Sequence, residues 1–156
     1  MQVLAHAGLV VIKQGSGTYV NRLALLKQRT GKLRPTQKML EREAVRELLN
    51  APIDSDHWLV LKADLARRNQ LLSQGRFKEF VTADIRFHTQ IVRMSENPYL
   101  IKWYTELRPF WQRYLNRLIV KHRPYRGNTR YHNRLFRALV NRNVAVALKM
   151  IDNVGR

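Results

Sequence analysis

Within the stretch ADIRFH, Asp84 and His88 stand four residues apart in a long helical pattern. At that spacing a carboxylate and an imidazole stack on one face of a helix. Phe77, Val81 and Ile91 step along the same face, which sets the pair beside a core. Polar groups in such a place have three outcomes: bonding to each other, holding a divalent ion, or turning to water. A borderline ion such as zinc accepts both donor types, but a tight site needs a third or fourth ligand. The remaining histidines are His6, His57, His122 and His132, and His132 is the best placed because it shares a stripe with Leu135, Phe136 and Leu139. A metal-dependent hydrolase built on Asp84, His88 and His132 would also need a base near the bound water, and the sequence supplies none. Gly15-Ser16-Gly17 is too short for a phosphate loop and does not precede a helix. The expectation is a protein that is not an enzyme.

Composition narrows the partners. Lys and Arg total 29 against 11 Asp and Glu, a formal charge of +18. The excess is uneven: residues 1–40 hold seven basic residues and no acid, and residues 102–142 hold eleven against Glu106 alone. Such a field favours nucleic acid, an anionic membrane surface or an acidic partner over a neutral one. One reading of the charge alone is a basic helical protein that binds nucleic acid without sequence preference. A solvated basic surface is the plainer one. There is no cysteine, so disulfides and thiolate metal sites are excluded. No apolar run approaches the roughly 18 to 20 residues of a membrane span, and the N-terminus lacks a basic segment before its apolar stretch. A cytoplasmic location is expected.

The elements that must position these residues follow from periodicity. Val3, Leu4 and Ala7 form a helical scrap closed by Gly8. Two β-rich runs, Leu9 to Lys13 and Thr18 to Val20, flank a Gly-rich turn and predict a hairpin. A lone helix end and one hairpin bury no core, so a preceding segment is expected. Residues 22–34 read as a linker with some helical character. Six helices follow, over about Pro35–Leu49, Asp56–Ser73, Phe77–Met94, Pro98–Lys121, Thr129–Asn141 and Asn143–Asn153. Asp54 or Ser55 caps the second, Pro109 should kink the fourth, and Glu41 and Glu43 read as surface charges of the first. The fold class is all-α, an antiparallel bundle of about six helices preceded by the hairpin. The organisation is 1–21 hairpin remnant, 22–34 linker and 35–156 helical domain.

The stretch GLVVIKQGSGTYV resembles the end of the winged helix-turn-helix of GntR-superfamily transcription regulators. Leu4, Gly8, Leu9 and Val10 match the close of a recognition helix, and Gly15, Gly17, Thr18, Tyr19 and Val20 match the close of the wing. The remainder resembles the FCD-like effector-binding bundle of the FadR-type branch, in its smaller VanR-like form. The matching residues are LEREAV at 40–45, Asp84-x-x-Phe87-His88, Ser95-Glu96-Asn97-Pro98, His132-x-x-Leu135-x-x-Ala138-Leu139, and Ala147-x-x-Met150.

The resemblance implies a dimeric, ligand-responsive regulator that acts on DNA through the complete parent protein and responds to a small carboxylate effector. It further implies a zinc, nickel or manganese ion on one Asp and three His. Asp84, His88 and His132 match three of those ligands, and the fourth falls at Asn153, a poor ligand beside imidazole. Wing residues Lys13, Ser16 and Thr18 would contact DNA, without specificity in the absence of a whole recognition helix. Among the arginines of the fourth and fifth helices, Arg113, Arg117 and Arg134 are the candidates for gripping an effector carboxylate in bidentate fashion, with a solvated face as the alternative.

Overall fold

The computed structural model describes residues 10–13, 17–20, 22–121 and 127–153. The chain divides into two units, residues 1–36 and 37–156. In the first, β1 (Val10–Lys13) pairs antiparallel with β2 (Gly17–Val20) in the register Val10↔Val20 to Lys13↔Gly17. The expected helical scrap at residues 3–7 and the turn at residues 14–16, including Ser16, lie outside the described residues.

Six helices follow: α1 (Arg22–Asn50), α2 (Ser55–Ser73), α3 (Phe77–Arg93), α4 (Pro98–Lys121), α5 (Asn128–Val140) and α6 (Val144–Asp152). The architecture is the all-α bundle that the periodicity predicts. Residues 22–34, expected to have some helical character, are helical throughout, so the first helix starts at Arg22 and not near Pro35, through which it runs. A proline inside a helix removes one backbone donor. Just beyond it, Thr36 Oγ1 donates to Lys32 O at 2.8 Å. Likewise α4 runs through Pro109 without a break. Among the described residues no helix is long and apolar enough to cross a membrane.

Local chemistry sets the helix ends. Asp54 caps α2 by accepting from Asp56 N at 3.1 Å. The α2–α3 corner closes with Arg76 N on Leu71 O at 3.0 Å and Gly75 N on Leu72 O at 3.1 Å. That pairing requires a left-handed residue, and Gly75 supplies it with φ of +68° at no side-chain cost. Asn97 opens α4, its Oδ1 accepting from Tyr99 N and Leu100 N while its Nδ2 donates to Glu47.

The main core gathers Val45, Leu48, Leu61, Phe87, Ile91, Leu135, Leu139 and Ile151, from α1, α2, α3, α5 and α6. A second cluster joins Leu40, Ala44, Val92, Leu100 and Tyr104. Each fully buried aliphatic or aromatic side chain contributes about 1.5–3 kcal/mol of transfer free energy. Met39, one of the expected apolar stripe of the first helix, is instead exposed.

Candidate functional site

Asp84, His88 and His132 come together. Asp84 and His88 project from α3, and His132 reaches them from the first turns of α5, with both imidazoles buried. Nε2 of His88 lies 3.1 Å from Nε2 of His132, and the latter lies 3.3 Å from Asp84 Oδ1. One ligating atom from each of the three fits within 4.8 Å of the others. Phe87 abuts both imidazoles edge-on, with ring centroids 5.3 and 5.7 Å away.

The outer nitrogens of the two rings are held differently. His132 Nδ1 lies 2.8 Å from the carbonyl of Asn128, so it carries the proton and donates. Its Nε2 therefore presents a lone pair to the cluster. His88 Nδ1 faces Glu41 Oε1 at 3.3 Å, outside hydrogen-bond geometry. Glu41 is buried and bound elsewhere: Tyr104 donates to it at 2.5 Å and Gln37 Nε2 at 2.6 Å. This corrects the surface assignment made for Glu41, whereas Glu43 is exposed and pairs with Arg46.

The other group that sequence reasoning missed is Arg68. It is fully buried on α2 and donates from Nε to Asp84 Oδ1 at 2.8 Å. Its Nη1 donates to Asn69 Oδ1 at 2.6 Å, its Nη2 to the Asn128 side chain, and its guanidinium lies over Phe80 at 4.9 Å. A signal was present: Leu61, Leu65 and Leu72 leave a gap in the α2 stripe that position 68 fills at helical spacing.

Electrostatics follow from this packing. Burial pushes the Asp84 carboxyl up, but Arg68 and the two imidazoles outweigh it and hold the group below the usual carboxylate range. Burial disfavours charge on His88, yet Glu41 and Asp84 together leave its pKa raised. For His132 the balance goes the other way: burial, with Arg68 and His88 beside it, outweighs Asp84 and pulls it down to about 3. Tyr104 stays protonated, driven far up by burial and by Glu41.

Ligands about 2.0–2.2 Å from one ion stand about 3.0–3.5 Å from each other at neighbouring positions. The 3.1 and 3.3 Å edges match that spacing. An imidazole tied at its outer nitrogen, as His132 is to Asn128 O, is also the arrangement of a metal-binding histidine. The residues fit a three-ligand site whose remaining positions are filled from outside, although Arg68 shares the carboxylate that an ion would use. Asn153, the position of the expected fourth ligand, is the C-cap of α6 and makes no hydrogen bond to the three.

The other expected residues lie elsewhere. Arg113 and Arg117 are exposed on α4, and the Arg113 guanidinium sits 5.1 Å over the Phe110 ring. Arg134 is exposed on α5, where Thr129, Arg130, Asn133, Arg134 and Arg137 line a surface groove of about 540 Å³. Lys13 and Thr18 belong to β1 and β2.

Residues 33–154 match the FCD domain. Among solved structures, that described by "Lar controls the expression of the Listeria monocytogenes agr system and mediates virulence" is similar at a TM-score of 0.67 and 19% identity, covering 97% of this chain and 71% of that one. Streptococcus agalactiae GntR aligns at a TM-score of 0.61 and 20% identity, over 96% and 73% of the two chains. E. coli McbR/YncC aligns at a TM-score of 0.69 and 14% identity, over 97% and 75%. Comparison with curated proteins gives no match.

Proposed function

We propose that this chain, which belongs to the FCD-domain family, is a ligand-responsive transcription regulator of the GntR type whose bundle senses a small carboxylate-bearing metabolite at the Asp84–His88–His132 cluster. A divalent ion of the zinc, nickel or manganese kind would be held by those three side chains and would offer its open positions to the effector. When bound, the ion supplies a Lewis-acidic grip on carboxylate oxygen. The protein's own groups do the rest. Asn128 O fixes the tautomer of His132, and Glu41 faces the outer nitrogen of His88. Arg68 is the cation that an effector carboxylate would meet beside the cluster. The observation that carries this reading is the pair of buried Nε2 atoms 3.1 Å apart, with Asp84 Oδ1 at 3.3 Å.

Sensing reaches DNA through population shift. An effector that binds one arrangement of the bundle better than another biases a dimer between states of different operator affinity. The β1–β2 hairpin would be the wing of the DNA-binding unit. The test is the metal content of the purified chain beside an Asp84→Ala/His88→Ala double variant. Near-stoichiometric metal in the parent and none in the variant supports the reading. No metal in either, after loading with zinc, nickel and manganese in turn, removes the ion and leaves a core hydrogen-bond network.

One observation favours a second reading, non-specific binding of nucleic acid. The α5 groove presents Arg130, Arg134 and Arg137, all exposed, along one helix. A filter-binding titration at about 50 and 200 mM salt decides it, since phosphate contacts give a steep salt slope.

A further inference from the structure

One face of α4 carries a pattern that neither the core nor the His–Asp cluster uses. Tyr99, Trp103, Glu106, Phe110, Arg113 and Arg117 recur at alternating steps of four and three, and all six are exposed. The aromatic members are large and open to water, at 68% for Tyr99, 51% for Trp103 and 48% for Phe110. The inward side of the same helix is separately satisfied by Leu100, Tyr104 and Trp111, which are buried. A four–three stripe is the seam by which one helix packs along another, and contiguous exposed aromatics mark an interaction surface.

The order of residue types along the seam identifies the occupant. Aromatics stand at its N-terminal end and arginines at its C-terminal end. A parallel copy would set Arg113 against the partner's Arg113 and Arg117 against the partner's Arg117, which is repulsive. An antiparallel copy, with its two-fold axis beside Arg108, sets Tyr99 against the partner's Arg117, Trp103 against the partner's Arg113, and Glu106 against the partner's Phe110. All six positions are then used once on each copy, and two layers on each side of the axis become cation–π pairs. Arg113 already stacks on an aromatic ring within its own helix, Phe110 at 5.1 Å.

We infer that this α4 face is a self-complementary interface, joining two copies of the chain through antiparallel α4 helices. A dimer is part of the function proposed above; the face and its register are what this inference adds. Sedimentation of the full chain from about 1 to 100 µM, together with cross-linking, tests it. The sequence contains no cysteine, so introduced thiols report cleanly. Trp103→Glu is expected to weaken the dimer at least tenfold while leaving the helical circular dichroism unchanged, because Trp103 lies outside the core. A one-to-one mixture of Glu106→Cys and Phe110→Cys chains is expected to oxidise to a covalent dimer, and Trp103→Cys alone is not. A dimer untouched by Trp103→Glu overturns the α4 face but leaves the dimeric regulator standing. Cross-linking by Trp103→Cys, or none in the mixture, overturns the antiparallel register. A monomer throughout overturns both the interface and the dimeric regulator.

Discussion

Arg68 Nε and Asp84 Oδ1 form an ion pair of 2.8 Å between α2 and α3, with the arginine wholly buried. The same Oδ1 lies 3.3 Å from His132 Nε2, so the oxygen that takes the guanidinium also faces the lone pair of the imidazole. The site therefore holds a fixed cation in the place where an ion would bring a second one. Removing either partner of such a buried pair strands a charge, whereas a replacement cation can take up the vacated role.

Arg68→Met is accordingly expected to cost about 3–5 kcal/mol by leaving Asp84 unpaired. Excess zinc or manganese should restore part of that loss, because it places positive charge on the same carboxylate. Thermal denaturation with and without metal checks this. A variant that loses stability yet gains nothing from metal would show that Asp84 cannot act as a ligand.

Tyr104 and Glu41 form the second buried link, with the hydroxyl 2.5 Å from Oε1. Charge-assisted hydrogen bonds of this kind contribute about 1.5–3 kcal/mol, more than a neutral bond. A double-mutant cycle of Tyr104→Phe and Glu41→Gln should give a coupling of at least about 1 kcal/mol. Additive effects would mean that the two groups are held apart in solution.

Asp64 allows a pH prediction away from the cluster. It is buried on α2, with Oδ1 2.7 Å from Arg86 Nε and Oδ2 without a hydrogen-bond partner among the described residues. Burial raises its pKa, and Arg86 offsets this only in part. For an acid raised on folding, the stabilising contribution is present when it is protonated and is lost as pH rises through the folded pKa. Arg86 is largely exposed, so its attraction is screened. Asp64→Asn should raise stability at pH 7, by less than about 1 kcal/mol, and the gain should vanish towards pH 3. Melting curves across that range would reveal the opposite sign if the Arg86 pair dominates.

The bundle was legible because its signals are local. Five of the six helix starts come from caps, glycines and prolines a few residues long, as at Asp54, Gly75 and Asn97-Pro98. Asp84, His88 and His132 were legible because inward polar residues stand out against an apolar stripe. Glu41 and Arg68 were not, since long charged side chains occupy helix surfaces far more often than cores. Their burial depends on partners distant in sequence: Tyr104 for Glu41, Asp84 and Asn128 for Arg68. The start of the first helix, expected near Pro35, was not legible for another reason. Gly31 and Pro35 are helix breakers by propensity, yet α1 runs through both.

At Arg142 backbone strain is set against side-chain bonding. The residue closes α5 with φ of 52°, a conformation that disfavours any residue with a Cβ by about 1 kcal/mol. Its N–H donates to Leu139 O at 3.0 Å, and Asn143 N follows to Ala138 O at 2.8 Å, the same corner that Gly75 makes after α2. The guanidinium offers a reason for arginine here: Nη2 donates to Leu49 O at 2.5 Å and to Ala51 O at 3.0 Å, satisfying carbonyls at the end of α1. Arg142→Ala keeps the strain and loses both bonds, and should cost about 1–2 kcal/mol. Arg142→Gly loses the same bonds but relieves the strain, and should fall within about 0.5 kcal/mol of the parent. Urea denaturation of the three proteins distinguishes the two terms. Equal losses in Ala and Gly would mean that the left-handed backbone carries no strain there, and that the α1 carbonyls alone account for Arg142.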